Sequence, residues 1–417
     1  MSRQNLWIAI LAASAATGTA VTHADFVDDS QVQLKFKNFY LDRQIKKTPE
    51  NNWGSWSQGI TLDAKSGYHN IGGGVQVGAD LLVQHAFKLK GRDTKPDYVL
   101  PHDGKKSKDQ FGKVGATLKA KVSQTELRVG ELLPISPVLT FDPTRQLVTT
   151  FSGAWLESKD IQNTKLTLAY VDKINNRYDN QFRDLTLFTL GREGGHADQG
   201  PESDGMLIAG VDYQFTPELT AGYWFGDVQD IYQQHYVGAA YKTKLGEKAK
   251  LDSHLRYFNT ADSGSSMYGD IDNQAISASA KVNYGAHTVG LNYQQMMGDH
   301  GFPTLGGWVP GAYLANWGIA TFTLKDEKSV GVNYNYDFSE LGLNGFNATA
   351  VYFTGWDAEY NGKKDQKSEE FNLVLNYTVP EGQFKGLGVQ AMYIDADFDY
   401  KSDLQEYRVA TTYTYKF

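Results

Sequence analysis

Five basic side chains occupy alternate positions in segments whose other face is apolar. Lys35 and Lys37 lie opposite Leu34 and Phe36, Arg128 lies between Leu127 and Val129, Arg256 between Leu255 and Tyr257, and Arg408 between Tyr407 and Val409. Arg183 is a sixth candidate, in a stretch whose alternation is ambiguous. A strand sends successive side chains to opposite faces, so each cation belongs to a polar face backed by an apolar one. Fixed cations in a low-dielectric wall replace part of the hydration of a carboxylate. Arginine does this best, because its planar fork stays charged and binds two oxygens at once.

Arg145 stands apart, in Asp142-Pro-Thr-Arg145 within the long connection from Glu131 to Gly153. That connection is rich in apolar residues (Leu132, Leu133, Ile135, Val138, Leu139, Phe141). Apolar loops rarely stay exposed, so it is expected to fold inward, carrying Glu131, Asp142 and Arg145 with it; a loop capping the outside is the alternative. A second such element is Gly298 to Ala312, with Asp299, His300, Phe302 and Trp308. Its Gly and Pro suit a loop and its aromatics suit burial. Asp270-x-Asp272-Asn273 lacks the ligand spacing of a calcium loop. There is no Gly-x-Ser-x-Gly elbow and no His-Glu-x-x-His. No metal or cofactor is expected, and a barrel enzyme is the less favoured reading.

The elements that must carry these side chains are strands. The final stretch, Tyr407-Arg-Val-Ala-Thr-Thr-Tyr-Thr-Tyr-Lys-Phe417, alternates an aromatic face with a polar one. Similar alternation recurs from Val32 onward, at Gly74–Val83, Leu118–Val129, Leu251–Phe258, Thr288–Tyr293 and Phe371–Tyr377 among others. Tight connections (Phe215–Leu219, Leu245–Lys248, Tyr284–Thr288, Val379–Gly382) interleave with long polar ones (Lys90–Gly112, Gly191–Gly205, Asn259–Asp272, Thr354–Ser368). That rhythm fits an all-β, antiparallel transmembrane β-barrel with short turns at one end and long loops at the other. At roughly 20–22 residues per strand and connection the chain holds 16 to 20 strands, and an even count of 18 is expected.

Bulk composition agrees. Met1 to Ala24 has Arg3, an apolar run from Leu6 to Ala16 and a Thr22-His-Ala24 cleavage site, the form of a secretory signal peptide. Residues 25–417 then form a single barrel domain. The 417 residues include 42 Gly, 25 Tyr, 21 Phe, 8 Trp and no Cys. With no disulfides in an exported chain, a large closed sheet must supply the stability. Mean hydropathy is −0.45, a value barrels share with soluble proteins because inward residues and loops dilute the lipid-facing ones. The net charge of −8 argues against nucleic acid as a partner.

Several blocks resemble the OprD-type family of outer-membrane substrate-specific channels. They are Leu127-Arg-Val-Gly-Glu-Leu-Leu-Pro134, Gly226-Asp-Val-Gln-Asp-Ile-Tyr-Gln-Gln-His-Tyr236, Tyr257-Phe-Asn-Thr-Ala-Asp262 with Gly269-Asp-Ile-Asp-Asn273, Ala286–Gln295 leading to Gly298-Asp-His-Gly-Phe302 and Tyr313-Leu-Ala-Asn316, and Glu406-Tyr-Arg408. They run in family order from about Asp28 to Phe417. The resemblance implies an 18-stranded, mostly monomeric barrel in the outer membrane of a Gram-negative bacterium, in contact with lipid and lipopolysaccharide; a trimer is the alternative. It implies loops three and seven folded inward, a ladder of basic residues along one wall, and small solutes carrying carboxylates, including amino acids, related nutrients or antibiotics. Arg145 matches the family's constriction-loop arginine. One departure stands out. The strand before the last places Gln390 and Met392 inward where the family has further arginines, and Asp395, Asp397 and Asp399 follow. The ladder is shorter, which leaves a cation-leaning channel or a general diffusion porin as alternatives.

Overall fold

The computed structural model describes residues 26, 28–92, 95–188, 200–305 and 313–417. The expected signal segment, residues 1–24, and Trp308 lie outside the described residues. Eighteen long strands form one antiparallel sheet. They are β1 (Gln31–Ile45), β2 (Trp53–Lys65), β3 (Val75–Gly91), β4 (Gln110–Val122), β5 (Thr125–Leu132), β6 (Thr150–Ser158), β7 (Thr164–Asn175), β8 (Met206–Gln214) and β9 (Leu219–Val228). The second half is β10 (Tyr232–Leu245), β11 (Ala249–Asp262), β12 (Asp272–Tyr284), β13 (His287–Met297), β14 (Lys328–Asp337), β15 (Phe346–Tyr360), β16 (Lys363–Thr378), β17 (Gly388–Phe398) and β18 (Leu404–Lys416). Each pairs with its neighbour in sequence, and β18 pairs back onto β1 from Gln33↔Lys416 to Ile45↔Leu404. The sheet is a closed barrel, so neither terminal strand presents an unpaired edge.

Which face looks inward is decided by burial. On β4, Val114 and Leu118 are 71% and 68% exposed, whereas Lys113, Thr117 and Lys119 are 4%, 8% and 8% exposed. Leu127 and Val129 on β5, Leu255 and Tyr257 on β11, and Tyr407 and Val409 on β18 are exposed in the same way. An apolar exterior around a polar interior inverts a soluble core and matches a lipid-facing band.

The lumen is not empty. Its main apolar cluster joins wall residues (Phe151, Met206, Trp224, Phe258) to Val138 and Leu139 of the 133–149 connection and to Phe302, Leu305 and Leu314 of the 298–327 connection. Both long loops fold into the barrel and meet there. Leu187 and Phe188, from the 176–205 connection, pair with Leu305 and Thr304. One expected loop is not a loop. Thr354 to Ser368 continues β15 and β16 into a hairpin whose two-residue turn, Asn361-Gly362, has φ of 49° and 74°. Asn-Gly is the preferred pair for such a turn, because both positions need positive φ.

Candidate functional site

The tip of the 133–149 loop is fastened to the barrel wall by a set of hydrogen bonds. Gln146 donates to the Lys37 carbonyl at 2.9 Å and accepts from Ser57 Oγ at 3.1 Å. The Lys37 ammonium donates to the Arg145 carbonyl. Gln84 Oε1 accepts from the Val148 amide at 3.0 Å. On the far side Arg177 forms a buried ion pair with Asp142 and donates to Thr144 Oγ1 at 2.8 Å. The loop tip is thus pinned to β1, β2, β3 and the start of the 176–205 connection.

Arg145 sits at the centre, 7% exposed. Its Nη1 reaches only Thr144 of its own loop, at 3.2 Å (O) and 3.4 Å (Oγ1), and its Nε has no acceptor. Among the described residues it forms no ion pair with a carboxylate. Burial first, then Arg408 and Arg177, pull its guanidinium well below the usual arginine range. Burial also lowers Arg177 to about 10, against the opposing pull of Asp142. On β18, fully buried Glu406 accepts from Arg43 Nε at 2.5 Å and from Arg408. Arg43 in turn lies 4.3 Å over the Trp53 ring. Lys37, Arg43, Arg145, Arg177 and Arg408 face Asp142 and Glu406, so five cations minus two carboxylates leaves a formal excess of three positive charges. Within this group Arg43 and Arg408 share Glu406 and Arg177 holds Asp142, which leaves Arg145 as the guanidinium with no carboxylate acceptor among the described residues.

The other expected residues are distributed differently. Lys35 pairs with Asp63 at 2.8 Å. Arg128 is paired with Glu126 on its own strand and lines a cavity of about 340 Å³ with Asp63, Asp80, Glu131 and Trp155. Glu131 belongs to β5 rather than to the loop, and its side chain turns toward Gly115 in the lumen. Arg256 is seven strands from β18 and lies 5.4 Å over Tyr313, apart from the central cluster. Arg183 lies outside the eighteen long strands: it is exposed, on a two-residue strand of the 176–205 connection that pairs with the end of β7, and forms an ion pair with Asp179 at 2.5 Å. The expected basic residues therefore divide into a cluster around Arg145, the separate ion pairs of Lys35, Arg128 and Arg183, and Arg256 stacked on Tyr313.

Leu132, which ends β5, and Val138 and Leu139 of the loop are buried, but Leu133 and Ile135 are 43% and 59% exposed. In the second loop, the Asp299 side chain is 81% exposed and 3.8 Å from Lys325. His300 splices the loop onto β12: its amide donates to the Asp272 carbonyl at 3.0 Å and its Nδ1 accepts from the Asp272 amide at 3.2 Å. The inward part is carried by Phe302, Leu305, Leu314 and Phe322. Asn316 docks on Gln294 at 3.1 Å and Ser329 at 2.9 Å, and the Ala320 amide on Glu370 at 2.6 Å.

Sequence reasoning missed Arg43, Glu406, Arg177, Lys113 and Lys119. Arg43 continues the inward register of Lys35 and Lys37. Lys113 and Lys119 alternate with Val114 and Leu118, and Glu406 shares the face of Arg408. Those signals were present. Arg177 lies in an aperiodic connection and gives none.

A closed barrel with an apolar exterior, a charged interior and loops folded into its lumen is an outer-membrane diffusion channel. Residues 24–417 match the outer membrane porin, OprD family, and the chain belongs to that family. It is 31% identical to the porin-like protein GalP of Pseudomonas putida over 88% of this chain and 86% of that protein. Among solved structures it resembles OccAB4 of Acinetobacter baumannii (33% identity, TM-score 0.87, 93% of this chain and 98% of that one). It also resembles OpdK of Pseudomonas aeruginosa with vanillate (29% identity, TM-score 0.87, 94% and 100%). These are channels rather than enzymes, and they place this protein in the Gram-negative outer membrane, conducting small solutes.

Proposed function

We propose that the channel is selective, passing small solutes that carry a carboxylate, with Arg145 at its throat. The observation that carries this reading is Arg145 itself: a buried guanidinium in the lumen, with no carboxylate partner among the described residues and an excess of neighbouring cations. A passing carboxylate supplies the acceptors that Arg145 lacks, and Lys37 and Arg408 supply flanking charge. One solved relative holds vanillate, an aromatic carboxylate, which supports the substrate class. The two inward loops keep the passage narrow enough for the solute to exchange hydration for these contacts. The barrel works as a monomer among lipid and lipopolysaccharide, with exposed Tyr40, Trp56 and Phe87 on its outer face near the long-loop end.

The test is single-channel current in a planar bilayer, with reversal potential under a salt gradient, repeated with arginine, glutamate, benzoate and glucose. A small anion-preferring conductance that benzoate or glutamate reduces, with the response lost in Arg145→Ala, is expected. A large conductance indifferent to solute and unchanged in Arg145→Ala would make this a general diffusion pore. Reduction by arginine alone, with cation preference, would favour the cation-leaning reading.

A further inference from the structure

We propose that Lys113 is the positioning residue of the throat, holding the loop that carries Arg145 through a cradle of backbone carbonyls. Lys113 points inward from β4 and is 4% exposed. Its ammonium donates to the carbonyls of Val148 at 3.0 Å, Asn175 at 3.1 Å and Asn176 at 2.6 Å. An ammonium has three protons, and each finds one carbonyl. No carboxylate lies within ion-pair distance of it among the described residues; Glu131 and Asp179 act only from further away. A buried cation without a counter-charge is costly unless its hydrogen bonds are complete, so here the cradle replaces both water and a counterion.

The carbonyls come from two separate segments. Val148 belongs to the throat loop, while Asn175 and Asn176 end β7 and open the 176–205 connection. The next residue, Arg177, holds Asp142 and Thr144 at the other end of the loop tip. Val148 is gripped on both sides of its Cα, its carbonyl by Lys113 and its amide by Gln84. Arg145 lies between these two anchors. Releasing Lys113 frees Val148 directly and loosens the base from which Arg177 reaches Asp142. Lys113 thus sets where Arg145 stands without facing the solute. The inference rests on the reading of Arg145 as the throat contact, but its first readout is independent of any solute.

The test uses the purified full-length barrel in planar bilayers in lithium chloride, so that no bath cation resembles ammonium in size. Heat-modifiable migration on SDS gels reports folding. Lys113→Met keeps the stem and removes the ammonium. Charge-assisted hydrogen bonds of this kind hold the loop strongly enough that losing them raises the displaced population on the order of tenfold to a hundredfold. Open-state flicker is expected to rise at least about tenfold, with a larger mean conductance. In Lys113→Ala, ethylammonium or n-propylammonium should restore the quiet state, whereas tetramethylammonium, which has no N–H, should not. A Lys113→Met trace as quiet as the parent, or rescue equally good with tetramethylammonium, overturns the proposal. If neither variant folds, Lys113→Arg decides it. The arginine keeps the charge but cannot seat three converging carbonyls, so raised flicker supports the tether and an unchanged trace refutes it. Arg145→Ala measured alongside separates the two readings. An unchanged solute response there removes Arg145 from the throat while flicker in Lys113→Met still stands for the tether.

Discussion

Glu406→Gln changes the throat charge without changing its shape. Glu406 is fully buried and receives both Arg43, at 2.5 Å, and Arg408. Glutamine keeps an acceptor for one guanidinium and removes the negative charge, so five cations face Asp142 alone and the formal excess goes from three to four. One charge-assisted hydrogen bond becomes charge–neutral and the other is lost, because the amide NH2 cannot accept, a loss of about 3 kcal/mol of folded stability. For an anion held about 4 Å from the Glu406 carboxylate, removing that like charge would gain about 4 kcal/mol at an effective dielectric of about 20. Water on the open side of the cluster reduces this to about 1.4 kcal/mol, which is tenfold in occupancy. The assay is reversal potential under a potassium chloride gradient, together with the benzoate concentration that halves the current. The reversal potential should move further toward the anion limit and the half-blocking concentration should fall about tenfold. A folded Glu406→Gln barrel whose selectivity is unchanged, or moves toward cations, would refute the view that Arg43, Arg145 and Arg408 act as one anion-attracting cluster.

Gly59→Val should loosen the throat loop, because a Cβ at Gly59 meets the Gln146 amide that bonds Lys37 and Ser57; conductance should rise, and an unchanged value would show that Gln146 is not an anchor. Leu118→Arg places a charge on the lipid face and should cost about 2–4 kcal/mol in urea unfolding from lipid vesicles; a cost near zero would contradict the face assignment. Glu327, 1% exposed, accepts from the Leu324 amide at 2.9 Å and from Ser368 Oγ at 3.2 Å, and burial raises its carboxyl to about 7. Its folded value lies above its unfolded one of about 4.5, so the native state holds a proton that the unfolded state has released. That stabilisation is complete at low pH and is lost as pH rises from about 4.5 through about 7. Residues 313–327 should therefore be better protected from proteolysis at pH 5 than at pH 8, and Glu327→Gln should flatten the difference; equal protection of the parent at both pH values would refute this.

The sequence by itself determined the barrel, its strand count and the direction in which each strand faces. Each strand carries its own alternation, and lipid outside with water inside reads that alternation residue by residue, as Leu127-Arg128-Val129 and Tyr407-Arg408-Val409 illustrate. The inward path of the throat loop was also legible, because Val138 and Leu139 had nowhere apolar to go except the lumen. The hairpin at Asn361-Gly362 was missed because Lys363 to Ser368 is polar on both faces and carries no alternation, although Trp356, Ala358 and Tyr360 alternate with Asp357 and Glu359 before the turn. Only the tertiary structure decided which charges act together. Lys37, Arg145, Arg177 and Arg408 are far apart in sequence and meet because β18 closes on β1 and a loop crosses the lumen to reach them. Arg256 shares their alternation but stands seven strands from β18, stacked on Tyr313. Alternation fixes a side chain's face, whereas its neighbours across a water-filled barrel depend on ring closure and loop path, which no local pattern encodes.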